Sequence, residues 1–207
     1  MPKDTFLNLH EEKRDFIEEA ALDEFSEHGY EASSINRIVD AARIAKGSFY
    51  QYFEDKGDLF KHILAIIGDK KLETISPVLM NPAEHAFFTL LEEIYRSGLA
   101  FTKDHPRMAR IGFEVYENRF NPKFQEIMQE SQRLGYAFYE PIIDTAITRG
   151  EIDPNIDKHF TIHMLMKMQI ASIDYYLENY KQGRWTGDIM PVIQNMIHFI
   201  KNGIQHQ

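Results

Sequence analysis

Lys46, Ser48, Tyr50, Gln51 and Tyr52 crowd a cation, hydroxyls and an amide into one short stretch of the chain. These groups hydrogen-bond phosphate oxygens and the edges of base pairs in a duplex groove. Gly47 lies among them. Glycine inside a helix costs about 1 kcal/mol relative to alanine, and close approach of its backbone to a sugar-phosphate wall would justify that cost. Tyr50 and Tyr52 have polar neighbours and are assigned to this outward face, whereas Phe53 is assigned to the core.

Other chemistries find less support. His159 and His163 stand at i, i+4, a spacing that can hold a metal on one helix face. No Glu-x-x-His occurs to complete a di-iron bundle, so no metal is expected. There is no cysteine, hence no disulfide, zinc-thiolate site or thiol nucleophile. Without a glycine-rich phosphate loop or a strand-turn-helix elbow for a nucleophile, neither catalysis nor a cofactor is expected.

The elements that must position the polar stretch are helices, and no period-2 strand pattern is found. His10 to His28 sets Phe16, Ile17, Ala20, Ala21 and Phe25 at helical spacing, and Gly29 stands where a helix end favours positive φ. Ser33 and Ser34 are N-cap candidates for a short helix carrying Ile35, Ile38 and Val39 inward. Ala41 and Ala42 allow close approach of the next helix, with Ile38, Ile44 and Phe49 as the inner seam, in the manner of a helix-turn-helix. A fourth helix opens at Glu54 and Asp55, with Leu59, Ile63 and Ile66 or Ile67 buried. Beyond it, Pro77 and Pro82 bracket an expected break. Helices are then expected over 83–103, 107–116, about 121–149 with a bend at Pro141, and 156–180. A last one follows a loop with Gly183, Trp185 and Gly187. The 156–180 segment is apolar on nearly every face and is expected to be covered on all sides. Domains are expected over 1–54 and 55–207.

The chain has 207 residues, 43% hydrophobic and 27% charged, the balance of a folded globular protein. No run is apolar enough to span a bilayer, and a basic-then-apolar leader pattern is missing, so a cytoplasmic location and no membrane partner are expected. The net charge of −9 argues at first against nucleic acid. Residues 1–60 hold 7 Lys and Arg against 14 Asp and Glu, but most of the excess lies between Asp4 and Glu31. From Ser33 to Gly57 the sign reverses, with Arg37, Arg43, Lys46 and Lys56 against Asp40, Glu54 and Asp55. Salt screens the remoter acids over about 10 Å.

The run GYEASSINRIVDAARIAKGSFYQYFEDKGDLF resembles the DNA-binding region of the tetracycline-repressor-like (TetR) family of bacterial regulators, over roughly residues 10–63. Gly29-Tyr30, Ser33-Ser34, Ile38, Ala41-Ala42, Lys46-Gly47-Ser48, Tyr50, Phe53, Lys56 and Leu59 fall at the family's spacings. The resemblance implies an all-α fold: an N-terminal three-helix bundle with a helix-turn-helix, then a larger helical ligand-binding and dimerisation domain. It also implies roles. Ser33 or Ser34 and Lys56 would contact phosphate, and Arg37 and Arg43 would lie near the groove. Lys46 and Ser48 would reach base edges, and Tyr50 and Tyr52 would contact the DNA backbone. Three positions depart from the pattern: Arg43 stands at the turn position usually held by Gly, Ala45 at the N-cap usually held by Ser or Thr, and Val39 where a smaller residue is usual.

A ligand-responsive repressor is therefore expected, bound to a pseudo-palindromic duplex operator as a homodimer. Its last two helices would pair, using part of 160–180 with Ile193, Ile197 and Ile200. A small hydrophobic or cationic effector would tilt the fourth helix around Leu59 to Ile67 and release the DNA. Phe101, Phe113, Tyr116, Tyr136, Met164, Met168 and Tyr175 are candidates to line the effector pocket. Glu114, Glu117 or Asp174, if turned inward, would favour a cation. The alternative is a helical ligand- or protein-binding module that has lost operator binding, which Arg43 and Ala45 would favour.

Overall fold

The computed structural model describes residues 2–79, 85–180 and 189–204. Its elements are α1 (Asp4–Leu7), α2 (Glu11–Ala32), α3 (Ile35–Ala41), α4 (Lys46–Tyr52), α5 (Lys56–Leu79), α6 (Phe87–Asp104), α7 (Pro106–Glu117), a 3-10 turn (Pro122–Phe124), α8 (Gln125–Thr148), α9 (Lys158–Tyr180) and α10 (Met190–Ile204). The all-helical reading holds, and no described helix is long and apolar enough to cross a membrane. Pro82, Ala83 and the 183–187 loop with Trp185 lie outside the described residues.

By packing, the chain forms two compact units, Met1–Thr74 with Phe101–Ile127, and Ile75–Ala100 with Met128–Gln207.

In the first unit, α2 starts with Glu11 and Glu12 at the positive end of its dipole. Its inward stripe of Ile17, Ala21 and Phe25 is buried, as are Ile38 of α3, Phe49 of α4, and Leu59, Phe60 and Ile63 of α5. Phe25 and Phe60 meet edge to face at 5.0 Å, and Tyr30 joins Phe60 at 4.9 Å. Each fully buried aromatic of this kind stabilises the fold by roughly 1.5–3 kcal/mol. Helix α7 packs along α2 through Ile111 and Val115. Arg107 of α7 also bonds Asp23 and, at 2.9 Å, Glu19.

In the second unit, Leu91 of α6, Ile143 of α8, Ile162 and Leu165 of α9 and Ile193 of α10 share one apolar core. Helix α5 runs through Pro77 and ends at Leu79, inside the stretch that Pro77 and Pro82 bracket. Its proline removes one N–H and does not by itself forbid the turn that follows. Helix α9 is not covered on all sides by its own chain. Thr161, Ile162, Leu165, Ser172 and Tyr176 are buried, while Phe160 is 60% and Tyr175 51% exposed.

Candidate nucleic-acid interface

The site begins where α2 ends. Gly29 takes φ +70, and a Cβ there would come within 2.9 Å of the Glu114 carboxylate of α7. That carboxylate accepts the Tyr30 N–H at 2.7 Å through Oε1, and its Oε2 is buried without a partner. Burial raises its pKa, the more so with Glu117 and Glu31 nearby, and the Tyr30 N–H offsets only part of this. The chain then turns into α3 at Ser34. The Ser34 N–H donates to Glu24 Oε1 at 2.7 Å, and Arg37 Nε donates to Oε1 at 2.9 Å and to Oε2 at 3.0 Å. Glu24 is buried, which raises its pKa, but the Arg37 bonds, the Ser34 N–H and the charges of Arg37 and His28 together outweigh burial and leave it lowered.

Between α3 and α4 the chain reverses through Ala42 and Arg43. Arg43 takes φ +51, the left-handed conformation for which glycine is suited. Ala45 is the N-cap of α4 and offers no side-chain bond. Phe49 and Tyr52 face inward from α4, while Lys46, Gly47, Tyr50 and Gln51 are exposed and Ser48 is half-buried. A Cβ at Gly47 would meet no atom within 4 Å, so nothing of the chain itself lies over that side of the helix. Ser33, Ser34, Ile35, Asn36, Lys46, Tyr50 and Lys56 line one open groove that joins the start of α3 to the face of α4.

The residues singled out from the sequence separate into two groups. Ser34, Arg43, Lys46, Gly47, Ser48, Tyr50 and Gln51 lie on or beside the open face. The other four have work inside the chain. Ser33 is buried and its hydroxyl donates to the Tyr30 carbonyl at 2.7 Å. Arg37 is held by Glu24 and by the Ala32 carbonyl at 2.8 Å. Tyr52, expected at the DNA backbone, is instead buried against Phe6, because its register on α4 turns it toward the bundle. Lys56 donates to the carbonyls of Tyr30, Glu31 and Ser33 at 2.5, 3.2 and 3.0 Å and lies 4.7 Å from the Tyr30 ring centre. It closes the C-terminal end of α2, where unpaired carbonyls favour a cation.

Sequence reasoning missed Glu24, Asn36 and α1. Glu24 had a signal, since it continues the 3–4 stripe of Ile17 and Ala21. Of the pocket candidates, Phe101 (buried) and the stacked, half-buried pair Phe113 and Tyr116 lie in the first unit. Tyr136, Met164, Met168 and Tyr175 lie in the second, where Tyr136 stacks on His159 at 4.5 Å and Met164 and Tyr175 are exposed. Among the described residues, no group of three or more His, Asp or Glu could hold a metal ion. Glu117 is exposed and Asp174 half-buried. Ile193, Ile197 and Ile200, expected between subunits, are buried in the second unit's own core. Helical periodicity reveals a buried side without saying whether the same chain or another covers it.

A family described as bacterial regulatory proteins, tetR family, matches residues 17–63. The chain is similar to the uncharacterised HTH-type transcriptional regulator YhgD of Bacillus subtilis (strain 168), 27% identical over 169 residues that cover 78% of this chain and 83% of the relative. It is also similar to the probable acrEF/envCD operon repressor of Escherichia coli (strain K12), 25% identical with 76% and 72% covered. Among solved structures, a TetR family transcriptional regulator from Chloroflexus aurantiacus superposes with a TM-score of 0.59 at 26% identity, covering all of both chains. The transcriptional regulator FadR of Bacillus subtilis, in complex with stearoyl-CoA, does so at 0.65 and 19% identity, covering 92% and 98%.

Proposed function

We propose that the chain, whose residues 17–63 match the tetR family of bacterial regulatory proteins, is a transcriptional regulator: a ligand-responsive repressor that grips a pseudo-palindromic duplex as a homodimer. The observation that carries this reading is the outer face of α4. Lys46, Gly47, Tyr50 and Gln51 are exposed there, beside a groove that runs to the start of α3. A short second helix with such a face is the form that enters a major groove. Lys46 and Ser48 would reach base edges, and Ser34, Arg43 and Tyr50 the backbone.

Two copies would pair through the outward side of the last two helices. Phe160, Met164 and Tyr175 on α9 and Phe199, 71% exposed, on α10 are large apolar side chains left in water by the single chain. The effector would enter the second unit, whose core is apolar and buries the Tyr136 hydroxyl with no partner among the described residues. This favours a hydrophobic effector over a cationic one, as does the bound stearoyl-CoA named for FadR. Release would follow if the effector fits one arrangement of α5 better than another.

The test is a duplex selected by the protein from a random-sequence pool, titrated at several salt concentrations. Affinity for it should fall steeply with salt, with a slope of about −0.9 per neutralised phosphate. Lys46→Ala and Tyr50→Ala should abolish selection while leaving the dimer intact. A complex insensitive to salt, or unaffected by both substitutions, would reject the repressor and favour a binding module without a DNA role.

A further inference from the structure

Helix α4 has only seven residues, well under the roughly 12–15 that an isolated helix needs to hold together in water. Its N-cap, Ala45, contributes no side-chain bond. What fixes it must come from elsewhere, and at its C-terminal end residues 3–6 supply it. The Lys3 N–H donates to the Tyr52 carbonyl at 2.9 Å, Lys3 Nζ donates to the Tyr50 carbonyl at 2.9 Å, and the Thr5 hydroxyl donates to the Gln51 carbonyl. These are consecutive terminal carbonyls with no acceptor role inside the helix. Lys3 also pairs with Glu54 at 2.8 Å, which holds the ammonium at the negative end of the α4 dipole. Phe6 is fully buried, with its ring 4.8 Å from Phe53, 5.9 Å from Tyr52 and 5.2 Å from His62. None of these bonds touches Lys46, Gly47 or Ser48, so the outer face stays open.

We propose that residues 3–6 are a positioning clamp for the recognition helix: Lys3 and Thr5 hold its last carbonyls and Phe6 fixes its tilt, so that discrimination between DNA sequences depends on residues that read no base. This rests on the reading of α4 as the helix that enters the groove. A displaced α4 would still present Lys46 and Arg43 to phosphates, and non-specific attraction would survive. The positioned bonds to base edges would not.

The experiment compares the wild type with Lys3→Met/Thr5→Val, Lys3→Arg and Phe6→Leu. It measures binding to a duplex that the wild type selects from a random pool and to a scrambled duplex of equal length, with amide hydrogen exchange read in the same proteins. The double variant should lose about tenfold in affinity for the selected duplex, the loss expected from one or two hydrogen bonds. It should keep its affinity and salt dependence for the scrambled one, and exchange faster at residues 50–53. Lys3→Arg, whose guanidinium can reach the same acceptors, should bind like the wild type, and Phe6→Leu should repeat the double variant's pattern. Equal losses on both duplexes with a shallower salt dependence would make Lys3 a direct phosphate contact and overturn the proposal, as would unchanged selectivity and exchange. If the wild type enriches no duplex, the DNA role itself fails. Exchange at 50–53 then still decides whether residues 3–6 hold the helix.

Discussion

Replacing Glu24 by alanine should destabilise the first unit by about 3 kcal/mol, more than replacing its partner Arg37. The carboxylate is buried and accepts the Ser34 N–H at 2.7 Å as well as the Arg37 bonds. Hydrogen bonds to charged groups contribute roughly 1.5–3 kcal/mol, and the Ser34 N–H, at the opening of α3, loses its acceptor when Glu24 is replaced. The Arg37 side chain is half exposed and can turn to water, so its share of the loss stays near the 0–1 kcal/mol of a surface pair. Together these give about 2–4 kcal/mol, or a fall in Tm of roughly 5–15 °C for a chain of this size. Arg37→Ala lets water reach the carboxylate and leaves the Ser34 bond in place, so it should cost no more than about 1 kcal/mol.

Acidity provides an independent check on the same group. The folded-state pKa of Glu24 lies below its ordinary 4.5, so its stabilisation is fully present above that pH and is lost as pH falls through the lowered value. The difference in Tm between wild type and Glu24→Gln should therefore shrink in acid. Thermal unfolding followed by circular dichroism measures both effects. A cost below about 1 kcal/mol for Glu24→Ala, or a larger cost for Arg37→Ala, would refute the assignment of Glu24 as the residue that seats α3.

Arg43→Gly should raise stability by about 1 kcal/mol, the strain of a side chain at φ +51, while lowering the salt slope of DNA binding by about one if the guanidinium meets a phosphate; denaturant titration and salt-dependent binding separate the two. Gly29→Ala should cost more than about 1 kcal/mol, since the new Cβ meets both the positive φ and the Glu114 carboxylate at 2.9 Å; equal stability in urea would rule out the close approach. Glu114 has a raised pKa, so wild-type stability should decline as pH rises from about 4.5 through that value, and Glu114→Gln should flatten the decline while keeping an acceptor for the Tyr30 N–H. Phe160→Glu should shift the sedimenting species from dimer to monomer with little change in the far-ultraviolet spectrum, because the ring is 60% exposed in the single chain.

The helices and their inward faces were legible in the sequence because a single 3–4 period governs both, and Ile38, Phe49, Leu59 and Ile63 lie buried as that period requires. The turn was legible too: Arg43 at a position suited to glycine and Ala45 at a cap position are local facts, and the structure shows the positive φ and the missing cap bond that follow from them. Distant partners were not legible. Lys56 and Arg37 are cations in a segment that would meet phosphates, and nothing in their spacing shows that the carbonyls of α2 and the Glu24 carboxylate reach them first.

The same limit bears on the proposed dimer face. Ile193, Ile197 and Ile200 form the more regular apolar stripe, yet they are spent on the second unit's own core. Phe160, Met164, Tyr175 and Phe199 are interspersed with polar residues and remain in water. A surface that must be soluble before it pairs carries its apolar groups diluted, whereas a core is under no such demand. Once a fold is known, the informative residues for assembly are therefore the apolar ones that break the inward pattern. By the same logic, the informative ones for DNA are the polar side chains that bond no other side chain or carbonyl among the described residues, which selects Lys46, Gln51 and Ser34 over Lys56 and Arg37.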